Sequence, residues 1–168
     1  MKKVLLALLL LLLPLSIVEA YPNEPSGFAS LYWGESLSSV KSRYTTDFLE
    51  YKGKDGASYM VTIPEVRGEL GIKGKVFAMC LFHKNRLWEI KLIFPREDAG
   101  FAKKLQDERR YLISICGNPT YINGLYYWTG DTTTMWFTQK EDGYSIDLVD
   151  AKFLKQLLHQ AEMQNRYK

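Results

Sequence analysis

The chain has 168 residues and a formal net charge of +3, from 22 lysines and arginines against 19 aspartates and glutamates. So even a balance gives no broad field for nucleic acid or an anionic membrane. Hydrophobic residues at 46% and aromatics at 14% exclude a disordered chain, and a domain of this length needs neither metal nor disulfide to fold.

Met1-Lys2-Lys3 is a short positive segment, followed by an apolar run, Val4–Val18, that is broken only by Pro14 and Ser16. Val18-Glu19-Ala20 supplies the residues of a peptidase site. The run falls short of the ~18–20 residues that span a bilayer, so residues 1–20 are expected to be a signal peptide. Residues 21–168 are then one exported domain, periplasmic or secreted. No later run reaches membrane length, so no membrane contact is expected after cleavage.

Tyr21–Ser26 reads as a mobile lead-in. Ser36 is placed to cap a short helix, with Leu37, Val40 and Tyr44 on one face. Phe48–Ile63, turning at Gly53–Gly56, reads as two edge strands, and the glycine-rich stretch Pro64–Gly74 as loop. Val76–Phe82 and Leu87–Phe94 form a hairpin about His83–Arg86, with Trp88, Ile90, Leu92 and Phe94 expected inward. Asp98 is placed to cap a helix with Phe101, Leu105, Glu108, Leu112 and Ile115 on its stripe, ended by Gly117 and Pro119. Strands follow at Leu125–Thr129, Thr133–Gln139 and Tyr144–Val149. Asp150 then caps a last helix with Phe153, Leu154, Leu157, Leu158 and Ala161 inward and a fraying tail from Gln164. Each half ends in a meander and a helix, the pattern of an internal duplication. The fold class expected is α+β, a two-layer sandwich in which helices pack on one face of an antiparallel sheet.

The stretch Phe28–Val40 carries an aromatic, a spacer, Trp33-Gly34-Glu35-Ser36 and then Val40. It resembles the opening of many small exported bacterial α+β domains, and similar helix openings occur in outer-membrane-assembly lipoproteins and β-lactamase-inhibitor-like folds. Cys116-Gly117-Asn118-Pro119 is similar to the helix ending of such domains. The resemblance implies a fold and assigns no catalytic residue; the lipid-attachment cysteine of the assembly lipoproteins is missing.

Chemistry is sparse. Cys80, Cys116, His83 and His159 show no metal-ligand spacing, so no metal or other cofactor is expected. There is no nucleophile elbow, and Gly71-Ile72-Lys73-Gly74-Lys75 lacks phosphate-loop spacing. Glu108 and Asp147 are the two carboxylates set among apolar neighbours. Cys80 and Cys116 are either a disulfide, favoured by an oxidising compartment, or two buried thiols. A three-residue hairpin turn aims Cys80 at the helix, and a two- or four-residue turn aims it away.

The aromatic tract Tyr121–Tyr144 either fills a thin two-layer core or supplies a candidate binding face, with Tyr126, Trp128 and Trp136 as its residues. The expected function is a non-catalytic binding or adaptor domain for a protein, peptide or glycan, not an enzyme. A hydrolase inhibitor and an enzyme with an unrecognised site are the alternatives.

Overall fold

The computed structural model describes residues 20–96 and 100–166, with side chains through Met163. The expected signal peptide, apart from Ala20, and the expected cap Asp98 lie outside the described residues. The described chain opens with a two-residue pair, β1 Gly27–Phe28 and β2 Leu31–Tyr32, then helix α1, Leu37–Arg43. Strands β3 (Thr45–Lys52), β4 (Gly56–Arg67), β5 (Lys73–His83) and β6 (Arg86–Pro95) follow. After helix α2 (Phe101–Cys116) come β7 (Thr120–Ile122), β8 (Leu125–Trp128), β9 (Thr133–Lys140) and β10 (Gly143–Asp150), and last helix α3 (Ala151–Arg166).

Strands β3 to β10 form one antiparallel sheet in the order β3-β4-β5-β6-β10-β9-β8-β7. The order is two four-stranded meanders, each preceded by a helix, joined where β6 pairs with β10. The topology therefore repeats as the sequence halves suggest. The joint is fully buried on its inner face: Ile90 and Leu92 of β6 lie beside Leu148 and Ile146 of β10.

Alternation separates two faces. On the inner face Val76, Ala78, Cys80 and Phe82 of β5 are buried, whereas Phe77, Met79, Leu81 and His83 face outward and stay partly open. Two helices bury side chains on the inner side of the sheet. Ser36 caps α1 by accepting a hydrogen bond from the Ser39 amide at 3.3 Å, as expected, and the helix buries Val40 completely. Helix α2 buries Leu112 and Cys116 and sets Phe101 against Tyr144 of β10, ring centres 6.0 Å apart. Gly117 ends it at φ 76°, a left-handed conformation that favours glycine.

Helix α3 departs from the expected arrangement. Asp150 does cap it, accepting from the amides of Lys152 and Phe153 at 2.9 and 3.2 Å. Its first turn, however, meets the opposite face of the sheet, where Phe153 packs on His83 and Trp88 at 5.3 and 4.9 Å. Beyond that turn Leu157 and Leu158 are exposed, and so is Ala161, so these three are not an inner face. The backbone is helical through Arg166, which leaves only Tyr167 and Lys168 of the expected tail outside the described residues.

Three further expectations change for local reasons. The Pro64–Gly74 loop shrinks, because β4 continues to Arg67 across an irregularity between Ile63 and Val66. Proline is tolerated in a sheet at such a bulge. The remaining link makes a short 3-10 turn, Glu69–Gly71. Gly71 has φ +81°, and a Cβ there would lie 2.7 Å from the Tyr111 ring, so both conformation and contact demand glycine. Of the two expected edge strands only β3 lies at an edge; β4 lies between β3 and β5. The lead-in is tied down: Tyr21 is buried, Asn23 donates to the Ile115 carbonyl at 2.7 Å, and the Glu24 carboxylate accepts the amides of Asp131, Thr132 and Thr133.

Candidate functional site

The outer face of the sheet carries open apolar groups at Phe77 and Ile93, while its centre on β10 is buried, with Ser145, Asp147 and Val149 all under a tenth exposed. Among the described residues only the first turn of α3 packs against it. Register builds a single row across its middle. Tyr127 of β8 lies opposite Trp136 of β9, and Trp136 opposite Asp147 of β10. Asp147 is paired with Lys91 of β6, which is opposite Met79 of β5, itself opposite Met60 of β4. Charge sits at the centre of this row, with aromatic rings on one side and flexible thioethers on the other.

The central pair is well made. Lys91 Nζ lies 2.6 Å from Asp147 Oδ1, and Ser145 donates to Asp147 Oδ2 at 2.8 Å. Asp147 is 6% exposed, and its two partners satisfy a carboxylate that burial would otherwise penalise. Glu89, diagonal to it on β6, is held above the usual carboxylate range by burial first and by the Asp147 charge second. Phe77 and Ile93 stand open at 49% and 42% on the same face. The salt bridge is thus satisfied internally, with open apolar groups beside it.

The aromatic candidates are not brought together. Tyr126 and Trp128 pair with Phe137 and Met135 on the inner face, and Trp136 stands on the outer face. Trp128 is 2% exposed and its indole donates to the Gly117 carbonyl at 2.8 Å. It is a core residue that anchors the end of α2, which removes it from any binding face. Tyr126 is half-buried and its hydroxyl accepts from Arg109 of α2 at 3.1 Å. Of the three, Trp136 alone stands on the outer face, and it is half-buried. Strand alternation separates Tyr126 from Tyr127 in the sequence, but the pairing of Asp147 with Lys91 depends on two strands far apart in the chain.

The hairpin corrects a second inward assignment. Leu81 pairs with Glu89 but Phe82 with Leu87, so Trp88 is an extra residue on β6. The bulge turns Leu87 inward and puts Trp88 outside against Phe153. The turn has two residues, Lys84 and Asn85, both at positive φ. A two-residue turn alone would aim Cys80 away from the helices; the bulge shifts the register so that Cys80 pairs with Ile90 and points inward. Cys80 and Cys116 are nevertheless free thiols, both buried. Burial pushes both up, Cys116 to about 11, so neither is a ready nucleophile. A thiol reagent is expected to find no reactive group in the native protein and two per chain after denaturation; one or none after denaturation without reductant would show a bridge.

Glu108 lies in a second concavity, a cleft of about 640 Å³ between α2 and the β4–β5 link, lined also by Lys73, Lys103, Lys104, Asp107 and Tyr111. Its Oε1 is buried without a hydrogen-bond partner among the described residues. Burial raises its pKa to about 7, partly opposed by Lys104. The folded value thus exceeds the ordinary 4.5, so the unfolded chain binds fewer protons between these values. Stability should fall as pH rises from about 4.5 through 7. Glu108→Gln is expected to raise stability at pH 8 by about 1–2 kcal/mol, discounted for partial exposure, and to change it little at pH 4. Urea unfolding at the two pH values checks this; equal effects at both would contradict it.

Among the described residues no group of three or more histidine, cysteine, aspartate or glutamate side chains is placed to hold a metal ion, and no helix is long and apolar enough to cross a membrane. Compared with known proteins, the chain matches no family model, no curated protein and no solved structure.

Proposed function

We propose that the protein is an exported, non-catalytic binding module, periplasmic or secreted, that holds a partner protein on the outer face of its sheet. The observation that carries this reading is the pair of exposed apolar residues Phe77 and Ile93 beside the row centred on Lys91 and Asp147. Paired charge within an apolar surround provides both orientation and contact area. We also read the fold as two layers, with α1 and α2 against the sheet, an arrangement that fits the resemblance to small exported α+β domains. Helix α1 and helix α2 brace the inner face, so a partner would meet the opposite face at its exposed residues Phe77 and Ile93.

The test is affinity capture from the exported fraction of the producing cell with wild-type protein, Ile93→Glu and Phe77→Glu. A protein held by wild type and lost by both variants supports the reading. Capture unchanged by either substitution would remove the outer face from consideration. Should the captured protein be a hydrolase whose activity falls on binding, the module is an inhibitor.

A further inference from the structure

An open sheet of eight strands has two edges. One is β7, only three residues long. The other is β3, with eight, and no strand among the described residues pairs with its outer side. No turn or loop hydrogen bond among the described residues reaches that side either. Proteins commonly blunt such an edge with proline, a central lysine or a very short strand. Strand β3 has no proline and its one lysine, Lys52, is at its end. It carries a bulge at Leu49, yet Phe48, Leu49 and Tyr51 remain 48%, 42% and 77% exposed.

The side chains along this edge are sorted by face. On the inner face an aromatic line leaves the core: Phe82 meets Tyr59 at 5.9 Å, and Tyr59 meets Phe48 at 5.5 Å. Tyr51 packs on Phe48 at 4.8 Å, and there the line ends in the open. On the outer face stand Asp47, opposite Met60, and Glu50, opposite Ser58. Glu50 shares its charge with Lys52 at 2.5 Å; Asp47 has no ion-pair partner among the described residues.

We infer that β3 is a strand-addition site for an extended segment of a partner protein in which apolar residues alternate with lysine or arginine. The unpaired backbone ladder recognises extended chain of any sequence, and the side chains next to it select. An added strand places alternate residues beside Phe48 and Tyr51 on one face and beside Asp47 and Glu50 on the other. A second copy of this chain is disfavoured in the register that centres its apolar residues. Antiparallel self-pairing that sets Phe48 against Leu49 also sets Asp47 against Glu50, and like charges directly opposite destabilise. The inference is independent of the outer-face reading, because its contacts lie at the rim of the sheet.

The probe is an end-blocked, fluorescent octapeptide alternating lysine with valine, compared with one alternating glutamate with valine. Binding is read by anisotropy and by amide hydrogen exchange on the full exported chain. Wild type is expected to prefer the lysine peptide by about tenfold, and Asp47→Lys/Glu50→Lys to reverse that preference. Phe48→Ser should weaken binding about fivefold or more. The bound lysine peptide should slow exchange of β3 amides and leave β6 and β10 unchanged. Three results would overturn the inference: no preference between the peptides, protection on β6 and β10 in place of β3, or a dimer that Phe48→Ser dissociates. The positions are exposed, so matching thermal unfolding checks the variants' fold, and the wild-type exchange pattern decides even if one of them fails to fold.

Discussion

Trp128→Ala is expected to cost about 3–5 kcal/mol, whereas Trp136→Ala should cost under about 1.5 kcal/mol. The two rings lie in adjacent strands but on opposite faces. Trp128 is fully enclosed, and truncation both opens a cavity and leaves the Gly117 carbonyl without its indole donor. That carbonyl belongs to the cap of α2, so the helix end should loosen as well. At roughly 2–4 °C per kcal/mol for a domain of this size, the melting temperature should fall by about 10 °C. Trp128→Phe keeps most of the ring and loses only the donor, so it should cost about 1–3 kcal/mol. Equal losses for Trp128→Ala and Trp136→Ala in denaturant unfolding would contradict the assignment of faces.

The second large effect belongs to the central ion pair. Lys91→Met leaves the Asp147 carboxylate nearly buried, with Ser145 as its remaining partner. Removing one member of a buried pair costs about 3–5 kcal/mol in enclosed sites. The Lys91 side chain is 24% exposed, so about 2–3 kcal/mol is the expected loss here. Asp147→Asn on the same background removes the stranded charge and should recover more than half of that loss. Unfolding free energies of wild type, the two single variants and the double variant close the cycle. A double variant as unstable as the sum of the singles would show that Lys91 and Asp147 act separately.

The chain announces its local structure far better than its long-range pairing. Ser36, Gly117 and Asp150 end or begin helices through short-range hydrogen bonds, and they do so at the residues expected. The turn at His83–Arg86 was equally plain. The extra residue at Trp88 was not, because a bulge shows only when both strands are aligned. Pro64 looked like the start of a loop because proline usually interrupts pairing, yet an irregularity absorbs it. Leu157 and Leu158 follow a helical stripe, and periodicity says that a face is apolar without saying that anything covers it. The candidate site was legible only in part. Trp136 and Asp147 could be placed on strands, but the β6–β10 contact that sets Lys91 beside Asp147 spans the whole second half of the fold.

Site-specific photo-crosslinking tests the binding role of the outer face most directly. A photoreactive phenylalanine analogue is placed at Phe77 or Ile93 on the open face, and at Lys103 or Gln106, exposed positions of α2. After irradiation in the producing cell, Phe77 and Ile93 should yield the same discrete adduct, and Lys103 and Gln106 should not. A discrete adduct from the helix positions, with none from the sheet, would contradict a binding role for the outer face.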